Sequence, residues 1–215
     1  MTRVGRLGWT VLGLAGAILA VGACGSDNGG SSTTTTTTVA GIDVAGIDVA
    51  AARSYCTSKG GTVQTRQATW GTNNPQAQWQ SLDRSVEACR FQTLGDNDDS
   101  RIYVDLVSLY SNGPTLASVA YLSKVPTKSA ATGNPATANC AALAGSSQFG
   151  TGAAGGGWVN REDPFDAVVG LCVFPDQSFI DEWGITYYAG GIVRGVDLAK
   201  TFRYQPTQVP PFFGR

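Results

Sequence analysis

The chain has 215 residues, with 15 basic and 16 acidic side chains, a formal net charge of −1 and no histidine. Without an imidazole there is no Ser-His-Asp or Cys-His nucleophile, no histidine zinc site and no imidazole general base. A near-neutral charge with no basic stripe speaks against nucleic acid as a partner.

The opening "MTRVGRLGWTVLGLAGAILAVGAC" has the order of an export signal: Arg3 and Arg6, an uncharged apolar run over 7–21, then small residues up to Cys24. The run is short and glycine-rich for a bilayer span, so a cleaved signal over 1–23 is expected. Val21-Gly-Ala-Cys24 resembles the lipobox of bacterial lipoproteins, with Val where Leu is commoner. That resemblance implies lipidation of Cys24, which becomes the first mature residue. Palmitate-type chains would then anchor the protein on the extracytoplasmic face of the cell membrane. Each buried methylene adds about 0.8 kcal/mol, so two or more chains hold where one is marginal. The plainer alternative is a secretory peptide with an incidental cysteine. Cleavage removes two arginines and no acid, leaving 13 basic and 16 acidic residues, a net charge of −3.

Residues 24–44 ("CGSDNGGSSTTTTTT" onward) bury almost nothing and read as a flexible tether. The run Thr33–Thr38 suits O-linked sugar and suits a bare spacer equally. The tandem "AGIDVAGIDV" over 40–49 then starts apolar periodicity. Roughly 170 residues remain, enough for one moderate domain or two small ones.

Four cysteines follow Cys24, and their spacing organises this part of the chain: Cys56 to Cys89 is 33 positions and Cys140 to Cys172 is 32. "Cys56-Thr-Ser-Lys-Gly-Gly61" parallels "Cys140-Ala-Ala-Leu-Ala-Gly145", and "Val86-Glu-Ala-Cys89-Arg-Phe91" parallels "Val169-Gly-Leu-Cys172-Val-Phe174". With a one-residue gap after Asp99, Asp99 to Ile102 matches Asp176 to Ile180, with Tyr110 and Gly113 answering Tyr188 and Gly191. The reading is an internal duplication, with unit 1 over 45–127, unit 2 over 128–205 and a Pro/Phe-rich tail over 206–215. Each unit predicts a short helix (45–58, 135–143) carrying the first cysteine, with a glycine C-cap after it. A polar loop with tryptophan, a strand bearing the second cysteine and a further apolar segment come next. The expected fold class is α+β: two related disulfide-stapled units, each a short helix on a small antiparallel sheet. Four cysteines allow three pairings, and self-contained units favour Cys56–Cys89 and Cys140–Cys172.

The motifs with chemical overtones are weak. No lysine stands three residues after a serine. Gly150-Thr-Gly152-Ala-Ala-Gly155 fits G-x-G-x-x-G, but "GGWVNREDP" after it does not open a helix. Asp96-Asn-Asp-Asp-Ser100 fails as a calcium loop, with Arg101 and Val107 where Gly and Glu belong. The acid pairs Glu162-Asp163 and Asp181-Glu182 read as solvated or helix-capping groups. No metal site and no cofactor is implied.

The unit resembles the haemolysin-like domain family of bacterial envelope lipoproteins. Copy one supplies Tyr55-Cys56 and Gly60-Gly61; copy two supplies Asn134-Pro135-Ala136, Cys172-Val-Phe174-Pro175-Asp176, Ser178, Glu182-Trp183 and Gly190. Gln177 replaces the family's turn glycine, Ile180 stands where an extra cysteine is expected, and the spacing between the first two cysteines is longer. No catalytic residue comes with that family. In "CVFPDQSFIDEW", Phe174 is expected to face the core, Pro-Asp-Gln-Ser to turn, Ser178 or Asp181 to cap, and Trp183 to fill space against the sheet.

The expected function is therefore non-catalytic: a lipid-anchored envelope protein binding a protein, glycan or lipid. Trp70, Trp79 and Trp158, in polar loops at the junction of the copies, form the candidate binding surface, unless they cap each small core. A carboxylate-only hydrolase is the rival. A membrane-lytic protein is a third reading, disfavoured by a mean hydropathy of −0.03 and by the lack of an amphipathic or long apolar segment in the mature chain.

Overall fold

A computed structural model describes residues 46–93, 99–126, 133–147 and 154–212. The signal, the lipobox with Cys24, the threonine run and the whole tether over 24–44 lie outside these residues. So do 96–98 of the acidic loop, 150–153 of the glycine motif and the expected unit boundary at 127/128.

Helix α1 (Val49–Ser58) starts later than the expected 45, because the Asp48 carboxylate caps it there, accepting from the Ala51 amide at 3.1 Å. Strands β1 (Thr62–Trp70), β2 (Gln80–Gln92) and β3 (Arg101–Asp105) follow, then α2 (Leu106–Tyr110) and α3 (Leu116–Leu122). The second half runs α4 (Pro135–Ala142), β4 (Gly156–Val159), β5 (Val168–Val169), β6 (Leu171–Val173), β7 (Phe179–Asp181) and α5 (Glu182–Ala189). Helix α4 carries the expected start: Asn134 caps it and Pro135 opens it.

All seven strands join one antiparallel sheet, in the order β5-β4-β1-β2-β3-β7-β6. Its two ends are a single run of chain, since Gly170 alone separates β5 from β6. One segment thus pairs with β4 on one side and β7 on the other, and the sheet nearly closes into a barrel. The strands of both halves therefore share a sheet, where two small separate sheets were expected. A three-stranded sheet has two open edges, and the pairs β1–β4 and β3–β7 cover them.

Alternation along β2 divides the core. Val86 and Ala88 face inward with Ala68, Tyr103, Trp158, Leu171 and Phe179. Cys89 and Phe91 face outward into a larger layer with Cys56, Val104, Leu109, Tyr121, Cys140, Phe174, Ile180 and Phe202. The tail is part of this layer: Phe212 packs against it, its ring 6.2 Å from Phe174, and Ser123 donates to the Pro210 carbonyl.

The disulfides Cys56–Cys89 and Cys140–Cys172 staple α1 to β2 and α4 to β6, with Cα atoms 5.8 and 5.5 Å apart. The glycines after the helices have a different reason from the expected one. Gly60 takes the left-handed φ of +82° after α1, but after α4 that place belongs to Ala144, φ +56°. Gly61 and Gly145 are instead pressed against the disulfides: a Cβ would lie 2.9 Å from Cys56 Sγ and 2.9 Å from Cys140 Sγ respectively, and nearer still to the second sulfur. The equivalence expected for Ile102 also shifts. Val104 stands where Ile180 does, opposite a half-cystine and just before a helix-capping aspartate, because the β2–β3 connection is longer than the β6–β7 turn.

Candidate functional site

The three tryptophans do not form one surface. Trp158 is fully buried inside the barrel on β4, opposite Ala68, with the Arg84 guanidinium 5.5 Å from its ring centre. It is core, which corrects its place in the expected binding surface; alternation on β4 turns its side chain inward. Trp79 is half-buried, its Nε1 donating to the Asn74 carbonyl at 2.8 Å, and Arg161 lies 5.9 Å from its ring centre. Trp70, 38% exposed at the end of β1, is the most open of the three.

The acid pairs divide: Glu162 is exposed and Asp181 caps a helix, as expected, whereas Asp163 and Glu182 are buried. Asp163 is the hub of a charged network. Arg66, buried on β1, places Nη2 2.5 Å from Asp163 Oδ2 and donates to Gln64 Oε1 at 2.9 Å. Its Nη1 donates to the carbonyls of Trp158 and Asp166. Arg90 reaches Asp163 Oδ1 at 2.9 Å, the Tyr103 hydroxyl donates to Asp163 Oδ2 at 3.0 Å, and Arg101 grips Asp166 with both arms of its guanidinium. Burial pulls Arg66 below its ordinary pKa, against the attraction of its neighbours, and pushes Tyr103 up. Burial alone would raise Asp163, but the amide of Phe165 with Gln64 and Tyr103 holds it below the usual carboxylate range. The Asp163 and Asp166 carboxylates are engaged by partners inside the protein, and the network fills part of the barrel. Sequence reasoning missed it; the one signal was Arg66 sharing strand parity with Ala68 on a buried face.

A pocket of about 300 Å³ lies between α1, the 84–87 stretch of β2, the start of α2 and the 176–179 turn. Ala52, Val86, Leu106 and Phe179 supply apolar walls, Arg84 and Asp105 polar ones. Asp105 caps α2, accepting from the amides of Val107 and Ser108 and from the Ser108 hydroxyl. Burial pushes its carboxyl up to about 6, against those hydrogen bonds. The stretch Pro175 to Ser178 is the turn that was expected, and it also forms one wall. Asp176 accepts from the Leu116 amide at 2.7 Å and from Ser178. Gln177 takes a left-handed φ of +67°, and its side chain accepts from Arg84 at 3.1 Å.

Phe174 is buried as expected and Asp181 caps α5 through the amides of Trp183 and Gly184. Trp183 is half-buried, its ring 5.5 Å from that of Tyr187 at 30°. Glu182 is 3% exposed and accepts from Thr137 Oγ1 at 3.1 Å. Burial pushes both carboxyls, Asp181 and Glu182, up to about 6. Among the described residues no group of three or more His, Cys, Asp or Glu is placed to hold a metal ion, and no helix is long and apolar enough to cross a membrane.

Fold and site together define a disulfide-stapled, near-closed antiparallel barrel with helices outside, a charged plug within and a small pocket at its side. Compared with known proteins, the chain matches no family model, no curated protein and no solved structure.

Proposed function

We propose that the chain is an exported, lipid-anchored envelope protein that binds a small, largely apolar ligand without turning it over. The observation that carries the binding role is the pocket of about 300 Å³ beside β2, at the lower end of ligand-site volumes, with apolar walls and a few convergent polar groups. Support for binding over carboxylate hydrolysis comes from the commitments of its acids: Asp105 and Asp176 are engaged by backbone amides and serine hydroxyls. The anchor rests on the lipobox-like Val21-Gly-Ala-Cys24 and the signal-like run before it.

The two-unit origin is part of this reading. The first half runs helix, three strands, helix and the second helix, four strands, helix; both press a glycine on the helix–strand disulfide; and both end the last strand on an aspartate that caps a helix. The resemblance to haemolysin-like lipoprotein domains accords with such a duplication and assigns no chemistry.

The test is ligand-observed NMR on the full chain in phosphatidylcholine nanodiscs, with hexanol, hexylamine and hexanoate as probes. Saturation transfer to hexanol and hexylamine is expected, and Val49→Trp, at the half-open rim, should abolish it. Equal transfer in both proteins would remove the pocket as the site. Cleavage of p-nitrophenyl hexanoate that is lost in Asp105→Asn, which keeps the cap, would overturn the non-catalytic role.

A further inference from the structure

Glu182 and Trp183 open onto two adjoining hollows that share the Trp183 side chain. One is a shallow ledge formed by Trp183, Tyr187, Ile192 and Arg194. Its rings are roughly parallel, Tyr187 is 39% exposed, and the Arg194 guanidinium sits 5.5 Å from the Tyr187 ring centre. The other is a recess of about 360 Å³ whose polar lining includes Asn73, Asn134, Thr137, Ser147 and Glu182, with bare glycine backbone at Gly155, Gly156 and Gly170.

The recess holds an incomplete set of hydrogen bonds. Asn134 uses Oδ1 to cap α4, which leaves its amide N–H groups as donors at an exposed position. Thr137 donates to Glu182 Oε2 and the Ser147 hydroxyl lies near enough to favour the carboxylate, while the buried Oε1 makes no hydrogen bond of full geometry among the described residues. A buried carboxylate oxygen without a well-formed hydrogen bond is costly, and a ligand hydroxyl in the recess would supply one. Gly170 matters here: a Cβ would come within 2.8 Å of the Glu182 carboxylate, so the side chain lies flat against backbone at the wall.

The geometry points to a saccharide site: one face of a pyranose rests on the Trp183 ring, which Tyr187 stacks against and holds in place, and its hydroxyls hydrogen-bond to Glu182, Thr137 and Asn134 in the recess. A sugar ring pairs an apolar C–H face with a polar rim, as the ledge and recess do. An anion would meet the Glu182 carboxylate, and a purely apolar ligand would leave the amides and the carboxylate unpaired. This site lies apart from the β2 pocket in its lining residues and does not depend on it.

The experiment uses the full chain in phosphatidylcholine nanodiscs, free of sugar detergents, with maltotriose, mannotriose and N-acetylchitotriose as probes and ethylammonium as the cationic control. Saturation transfer to the C–H protons of one sugar face is expected from at least one trisaccharide. Glu182→Gln, which keeps size and hydrogen-bonding reach, should weaken binding about tenfold or more. Tyr187→Ala, at an exposed position, should do likewise, and Val49→Trp should leave it unchanged. The proposal is overturned if folded wild-type protein binds none of the three sugars, or if ethylammonium binds in a Glu182-dependent way and the sugars do not. Sugar binding that survives both Glu182→Gln and Tyr187→Ala would also overturn it.

Discussion

Val104 and Ile180 pair across the join between β3 and β7, and each sits opposite a half-cystine, Cys89 for Val104 and Cys172 for Ile180. Both are fully buried, so the two stapled corners of the sheet meet through these side chains. The two disulfides close loops of nearly equal length, 33 and 32 positions. In the chain-entropy account each should stabilise by about 3 to 4 kcal/mol. The double variants Cys56→Ala/Cys89→Ala and Cys140→Ala/Cys172→Ala should therefore lose similar amounts in urea unfolding. A large loss in one and none in the other would show that the corners are not energetically alike.

The glycines beside the disulfides separate two causes of cost. Gly60→Ala meets open space and only the strain of a left-handed φ, about 1 kcal/mol. Gly61→Ala and Gly145→Ala drive a methyl against the disulfide sulfurs and should cost more, about 1–3 kcal/mol. Ala144→Gly, at φ +56°, should be neutral or stabilising. Thermal midpoints of the four variants give the order.

Asp163→Ala would strand the buried Arg66 and the nearly buried Arg90 without their shared carboxylate. The expected loss is about 3–5 kcal/mol, whereas Glu162→Ala next to it, at an exposed position, should stay within about 0.5 kcal/mol. Equal effects at the two positions would mean that the plug contributes little.

Asp105, Asp181 and Glu182 are all pushed up to about 6 by burial. Between about pH 4 and pH 6 the unfolded chain ionises these groups while the folded chain keeps their protons, so their contribution to stability falls as pH rises. Asp163 has the opposite sign: its pKa is lowered, and its contribution is present above the ordinary aspartate value and lost as pH drops through the folded one. Urea midpoints at pH 4, 5, 6 and 7 should show the decline. Asp181→Asn, which retains a capping side chain, and Glu182→Gln should each flatten it; an unchanged slope in both would contradict the burial account.

Cys24→Ser should either release the protein from the membrane fraction or leave it uncleaved, held by its signal alone. Unchanged cleavage together with unchanged partition into the detergent phase would rule out lipidation at Cys24.

Local physics made much of the helical structure legible. Asn134-Pro135 marks the start of α4 because caps act within one turn of their own residue, whereas α1 starts at the Asp48 cap and not at the expected 45. The aspartate before α5 and the turn at Pro175 to Ser178 are likewise local, as is the burial of Phe174 two positions from a half-cystine. Equal cysteine spacing indicated which residues were candidates to pair, since a staple from helix to strand within one unit needs no distant partner.

What depended on distant chain was not legible. Asp163 looks like its exposed neighbour Glu162 until β1 and β2 bring Arg66 and Arg90 to it, 97 and 73 positions away. Trp158 looks like a loop aromatic until β4 pairs with β1 and its side chain turns into the barrel. Gly145 reads as a helix cap until the disulfide it touches is closed. By itself the sequence determined the start of α4, the Pro175 to Ser178 turn and the capping aspartate before α5, because those rest on neighbours within a few residues. The tertiary structure decided the shared sheet, the buried charges and both hollows, because strand pairing between residues far apart in sequence sets which face of each strand is buried.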